Sequence, residues 1–108
     1  MVARTTPEEV ARRLREAPGA LLLLDVREVE ERATAVIQPS IHIPMNEVPE
    51  RLSEIPRDRE VIVYCHHGAR SEVVAGFLEG EGYPRVANLS GGIDAWSADV
   101  DRRVPRYT

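Results

Sequence analysis

The only cysteine of this 108-residue chain, Cys65, lies in the stretch Val61-Ile62-Val63-Tyr64-Cys65-His66-His67-Gly68-Ala69-Arg70-Ser71-Glu72. Four β-branched or aromatic residues run into it, which reads as a buried strand ending at the thiol. A short loop follows, and a helix begins near Ser71. Ligands of open α/β sheets bind beyond the carboxyl ends of the strands. Backbone N–H groups of a curled loop, with those of the next helix, form a cradle for an anion. A thiol placed there meets a positive potential that favours thiolate, the nucleophilic form. Gly68 permits the curl, and Arg70 supplies a forked cation able to hold an oxyanion. Most free cysteines are small buried hydrophobes, but this setting favours a reactive one. Substrate contacts are expected from His66, His67, Gly68, Ala69 and Arg70. Adjacent loop histidines are often merely solvated, so neither is assigned a chemical step.

The elements that position this loop read as alternating helices and strands. Thr6-Pro7-Glu8-Glu9 opens a helix, with Thr6 as cap, Pro7 at the first position and Glu9 completing a capping box. Val10 and Leu14 face inward, and Pro18-Gly19 ends it. Ala20 to Leu24 is an unbroken apolar run of the kind buried on both faces of a parallel sheet. Glu28 to Ala35 is helix-compatible. Ile41 to Pro44 reads as a brief strand, and Asn46 to Leu52 as a short helix capped by Asn46. Ser71 to Glu81 is a helix closed by Gly82. Val86 to Leu89 is a further strand, and Gly91-Gly92 leads into a last helix holding Ala95 and Trp96. The expected fold is α/β, a small central parallel sheet flanked by helices on both faces. One domain over residues 1–108 is expected, with its motifs within about 6–98 and a peripheral tail from Asp99 to Thr108.

Composition narrows the function. Hydrophobic residues make up 43% and charged residues 30%, values of a globular chain able to bury its own core. A formal net charge of −4 offers no basic field for nucleic acid. One cysteine excludes an internal disulfide and suits a reducing compartment. The first 19 residues lack a signal-peptide core, and Ala20 to Leu24 is too short to span a bilayer. A cytoplasmic location is expected, with no membrane partner.

The stretch from Val61 to Glu72 resembles the active-site loop of the rhodanese family, in which strand, Cys, four residues, Arg and helix follow in order. Leu24-Asp25-Val26-Arg27-Glu28 is similar to that family's Asp-Val-Arg signature, and Ile43-Pro44 is a further match. Asn88-Leu89-Ser90-Gly91-Gly92-Ile93, with Trp96, matches its Leu-x-Gly-Gly segment and late tryptophan. The resemblance covers about Thr6 to Trp96. Two departures stand out. The family often has Gly-His-Ile-Pro-Gly-Ala where this chain has Ala35 to Ser40, and often an Arg where His66 stands.

The resemblance implies a sulfurtransferase that works by double displacement through a Cys65 persulfide. The donor would be a small sulfur anion such as thiosulfate, and the acceptor an external thiol or cyanide. A protein donor or acceptor is also compatible. No metal or organic cofactor is implied. Asp25, Arg27 and Ser71 are implied as supporting residues, with Asp25 and Arg27 bracing the loop because partly buried charges need partners. Two alternatives stay open. One is a persulfide carrier without turnover. The other is a cysteine-dependent phosphatase or arsenate reductase, which the four-residue gap disfavours, since phosphatase loops usually have five residues there.

Overall fold

In the computed structural model, which describes residues 2–108, five parallel strands form one sheet in the order β1-β5-β4-β2-β3. They are β1 (Ala3–Thr5), β2 (Leu21–Asp25), β3 (Ile41–His42), β4 (Glu60–Tyr64) and β5 (Val86–Leu89). The helices are α1 (Pro7–Glu16), α2 (Val29–Thr34), α3 (Ala69–Gly80) and α4 (Gly92–Asp99). A kinked 3-10 stretch, Met45–Glu54, precedes β4.

Both central strands are buried along nearly their whole length, and successive side chains alternate between two cores. Leu22, Leu24, Val61 and Val63 meet Val74, Ala75 and Leu78 of α3 on one face. Leu21, Leu23, Ile62 and Tyr64 meet Val10 of α1 and Ile93 and Trp96 of α4 on the other. An unbroken apolar run is therefore what β2 needs. Register then aligns the strand ends: Asp25 pairs with Tyr64 on one side and with His42 on the other. Cys65 follows directly, at the sheet's carboxyl edge.

Several expected boundaries move. The strand β1 was not anticipated, because three residues ending in Arg4 and Thr5 carry little apolar signal; it joins the sheet through β5 alone. Ala20 belongs to a 3-10 turn rather than to β2. The third strand stops at His42. Asn46 caps nothing: the 3-10 stretch begins at Met45 and has no side-chain cap. Thr6 does cap α1, accepting the Glu9 N–H at 3.2 Å, but Glu9 turns to Arg12 instead of closing the box. The complete box is at α2, where Glu31 reaches back to the Glu28 N–H at 3.0 Å. The helix after the loop starts at Ala69, two residues before Ser71. Among the described residues no helix is long and apolar enough to cross a membrane.

Candidate active site

Two backbone donors and one hydroxyl converge on the buried Cys65 sulfur. Gly68 N–H lies 3.1 Å away, Ser71 N–H 3.4 Å and the Ser71 hydroxyl 3.3 Å. The backbone N–H groups of His66, His67, Ala69 and Arg70 have no protein acceptor among the described residues. Four free donors and a buried sulfur at the head of a helix make a bowl suited to a small anion.

The bowl is shaped from two directions. Gly68 adopts φ 115°, which turns the chain from loop into α3. Asn88 of β5 braces the turn, donating Nδ2–H to the Gly68 carbonyl at 3.0 Å while its Oδ1 lies 2.5 Å from the Ser71 hydroxyl. From below, the first N–H groups of α4 take the loop's outward carbonyls: Ile93 N–H to Cys65 O at 2.9 Å and Asp94 N–H to His66 O at 3.1 Å. Those bonds leave the loop's N–H groups aimed the other way. Gly92 sits in this contact at φ 61°, and a Cβ there would strike the carbonyl oxygens of Cys65 and His66.

Asp25 and Arg27 are both fully buried and face each other. Arg27 donates Nε–H and one terminal N–H to the Asp25 carboxylate at 2.9 and 2.8 Å, and its backbone N–H at 3.0 Å. Burial alone would raise the Asp25 pKa, but the Arg27 hydrogen bonds outweigh it and hold the carboxyl below its usual range. Burial opposes the Arg27 charge, and Asp25 restores it with a net rise. Arg27 also donates to the Ala35 carbonyl at 2.7 Å, and Arg32 binds Ser40. These two arginines fix the ends of the segment that departs from the family pattern.

The tail is not peripheral, contrary to the sequence expectation. Tyr107 stacks on His66 with ring centroids 3.9 Å apart and planes 8° from parallel. His66 Nε2 lies 2.8 Å from the Tyr107 carbonyl; a carbonyl only accepts, so Nε2 carries the proton. The imidazole is thereby committed to the tail. His67 is two-thirds exposed, with Nδ1 3.8 Å from Asp94. The tail is held by Arg106 on Asp94 at 2.9 Å and by Ser97 on the Val104 carbonyl.

Arg70 is placed at the rim, but it does not point a free fork into the bowl. Both terminal nitrogens bind Glu31, at 2.6 and 2.8 Å. The Tyr107 hydroxyl donates to the same carboxylate at 2.8 Å and accepts from Arg27 at 3.0 Å. The Arg70 bond, above all, pulls the Glu31 pKa down to about 2. Burial pushes Tyr107 up to about 12. Sequence reasoning missed Glu31, Tyr107 and Asn88. Only Asn88 left a signal, a polar residue inside the apolar Val86–Leu89 strand.

Residues 6–99 match the model of the rhodanese-like domain. A sulfurtransferase from Allochromatium vinosum is 42% identical over 97 residues, covering 90% of each chain. The thiosulfate sulfurtransferase GlpE of Pseudomonas savastanoi is 33% identical over 85% of each chain. Among solved structures, a rhodanese-related protein from Thermoplasma volcanium superposes with a TM-score of 0.80 at 32% identity, over 91% of this chain and 93% of that one.

Proposed function

The chain belongs to the rhodanese-like domain family, and from that premise we propose that it transfers a sulfane sulfur through a persulfide formed on Cys65. The observation that carries this reading is the seating of the Cys65 sulfur against the Gly68 and Ser71 N–H groups and the Ser71 hydroxyl, beneath a ring of unpaired N–H groups. The Cys65 thiolate attacks the outer sulfur of a donor. A new S–S bond forms at Sγ, the donor's own bond to that sulfur breaks, and its electron pair leaves with the rest of the donor. With thiosulfate the leaving group is sulfite.

The persulfide's outer sulfur then occupies the bowl. Four N–H groups are within the loop to receive its charge, and they need no reorganisation to do so. An external nucleophile, a thiol or cyanide, attacks that outer sulfur and returns Cys65 as thiolate. No second cysteine exists in the chain, so the acceptor is another molecule. The reading places Asp25 and Arg27 as braces, since their bonds run to each other and to the surrounding backbone. It places Ser71 as a sulfur-facing donor, and His66 as a wall.

Steady-state assays with a sulfane-sulfur donor and cyanide test this. Wild type should turn over many times, Cys65→Ser should not, and Ser71→Ala, which removes the hydroxyl beside the sulfur and its bond to Asn88, should lose about tenfold, the order of one hydrogen bond. A single turnover followed by arrest would mark a carrier instead. Aryl-phosphate hydrolysis that disappears in Cys65→Ser would place the chain with the phosphatases.

A further inference from the structure

The one cation inside the loop is already spent. Arg70 gives both terminal N–H groups to Glu31, and the geometry makes that carboxylate a fixed fixture rather than a passing partner. Its Oε1 also accepts the Glu28 N–H at 3.0 Å, as part of the capping box of α2, and its Oε2 accepts the Tyr107 hydroxyl at 2.8 Å. Four donors therefore hold one carboxylate. Glu31 stays ionised at any pH at which the protein would work.

The neighbouring cations are no freer. Arg27 and Arg32 both bind Asp25, and Arg106 binds Asp94. What remains unclaimed around Cys65 is the set of backbone N–H groups, which are partial charges only. Such a site receives an outer sulfur well, but it offers little to a second, bulky, charged oxyanion. Thiosulfate carries two negative charges and releases a dianion. To be held, it must pull Arg70 off Glu31 or lie beside a neutral pair. A thiol persulfide, R–S–SH, asks for less. Its outer sulfur goes to the N–H bowl, and the leaving thiolate carries one charge.

We propose that Glu31 sets donor specificity by neutralising Arg70, so that the site takes its sulfur from a thiol persulfide in preference to thiosulfate. The inference rests on the reading of Cys65 as the sulfur-carrying nucleophile. In the step, Cys65 thiolate attacks the outer sulfur of R–S–SH. The Sγ–S bond forms, the donor's own S–S bond breaks, R–S⁻ leaves with the electron pair, and the proton stays on the transferred sulfur until solvent takes it. Glu31 touches no reacting atom and acts through Arg70, as a positioning residue.

The test compares thiosulfate with two persulfides, glutathione persulfide and the persulfide form of a cysteine desulfurase, whose relative rates also distinguish a small donor from a protein one. In wild type, kcat/KM for the better persulfide should exceed that for thiosulfate by at least about tenfold. Glu31→Gln frees Arg70 and should lower the thiosulfate KM about tenfold, equivalent to about 1.4 kcal/mol. That gain should vanish in Glu31→Gln combined with Arg70→Ala, because it operates only through the guanidinium. Tyr107→Phe, which removes one of the four donors and keeps the ring, should move KM two- to threefold in the same direction. Wild type favouring thiosulfate would overturn the proposal, as would a rise in thiosulfate KM on Glu31→Gln or a gain that survives Arg70→Ala. Failure of every donor to load Cys65 would instead overturn the underlying reading, and the proposal with it.

Discussion

Glu31 carries one of the clearest pH signatures in the molecule. Its carboxyl lies at about 2 in the folded chain, against 4.5 for a free side chain. A depressed carboxylate stabilises the fold fully above its unfolded value, and the contribution is lost as pH falls toward the folded value. Glu31 and Arg70 are partly exposed, so solvent screening cuts the contribution to about 1–2 kcal/mol. The stability gap between wild type and Glu31→Gln should be constant above about pH 5, and should close between 4.5 and 2. Denaturant titrations at a series of pH values check this; a gap that widens in acid would contradict it. The Asp25–Arg27 pair is a different case, since neither side chain reaches water. Arg27→Met leaves the buried carboxylate with one cation, Arg32 at 3.2 Å, beside the Tyr64 hydroxyl and the backbone N–H of position 27, and should cost about 3–5 kcal/mol of unfolding free energy. Of these residues the sequence exposes Asp25 and Arg27 through their motif. Glu31 is hidden among Glu28, Glu30 and Glu31, three like residues of which only packing selects one.

At the scale of elements, the loop is a joint between two helix starts. α3 supplies N–H groups to the sulfur, while α4 takes the loop's carbonyls from behind. Gly92 is where the two approach most closely. Gly92→Ala should push the loop from its seat, losing more than about 2 kcal/mol of stability and most of the activity. Gly68→Ala should be milder, about 1–2 kcal/mol, because its nearest Cβ contacts would be 3.6–3.7 Å and only the left-handed backbone is strained. Equal losses at the two positions would refute this account of the joint. The Gly91-Gly92 pair was legible in the sequence as a motif, yet the purpose of Gly92 was not, since the carbonyl oxygens it avoids, of Cys65 and His66, lie more than twenty residues away. The tail repeats the lesson. Arg102 to Thr108 has no apolar periodicity, and its place over the site is set by contacts with distant residues: Tyr107 with His66 and Glu31, and Arg106 with Asp94. Tyr107→Ala should speed alkylation of the buried Cys65 by iodoacetamide several-fold, and an unchanged rate would show that the tail does not restrict access.

For the whole molecule, a radius of gyration of 12.6 Å against about 13 Å expected for this length describes a chain packed as tightly as an ordinary domain. The parallel sheet was readable because β2 and β4 must be apolar on both faces. β1 was not, because an edge strand pairs on one side and needs no such run. Sheet order then decides chemistry by bringing Asp25, His42 and Tyr64 level and setting Cys65 one residue beyond them. Everything downstream depends on that sulfur carrying another sulfur. Intact mass spectrometry of the full chain after exposure to glutathione persulfide measures this directly. Wild type should gain the mass of one sulfur atom and lose it on addition of cyanide, and Cys65→Ala should gain nothing. An adduct of the same mass on Cys65→Ala, or a wild-type chain that never gains one, would contradict the account.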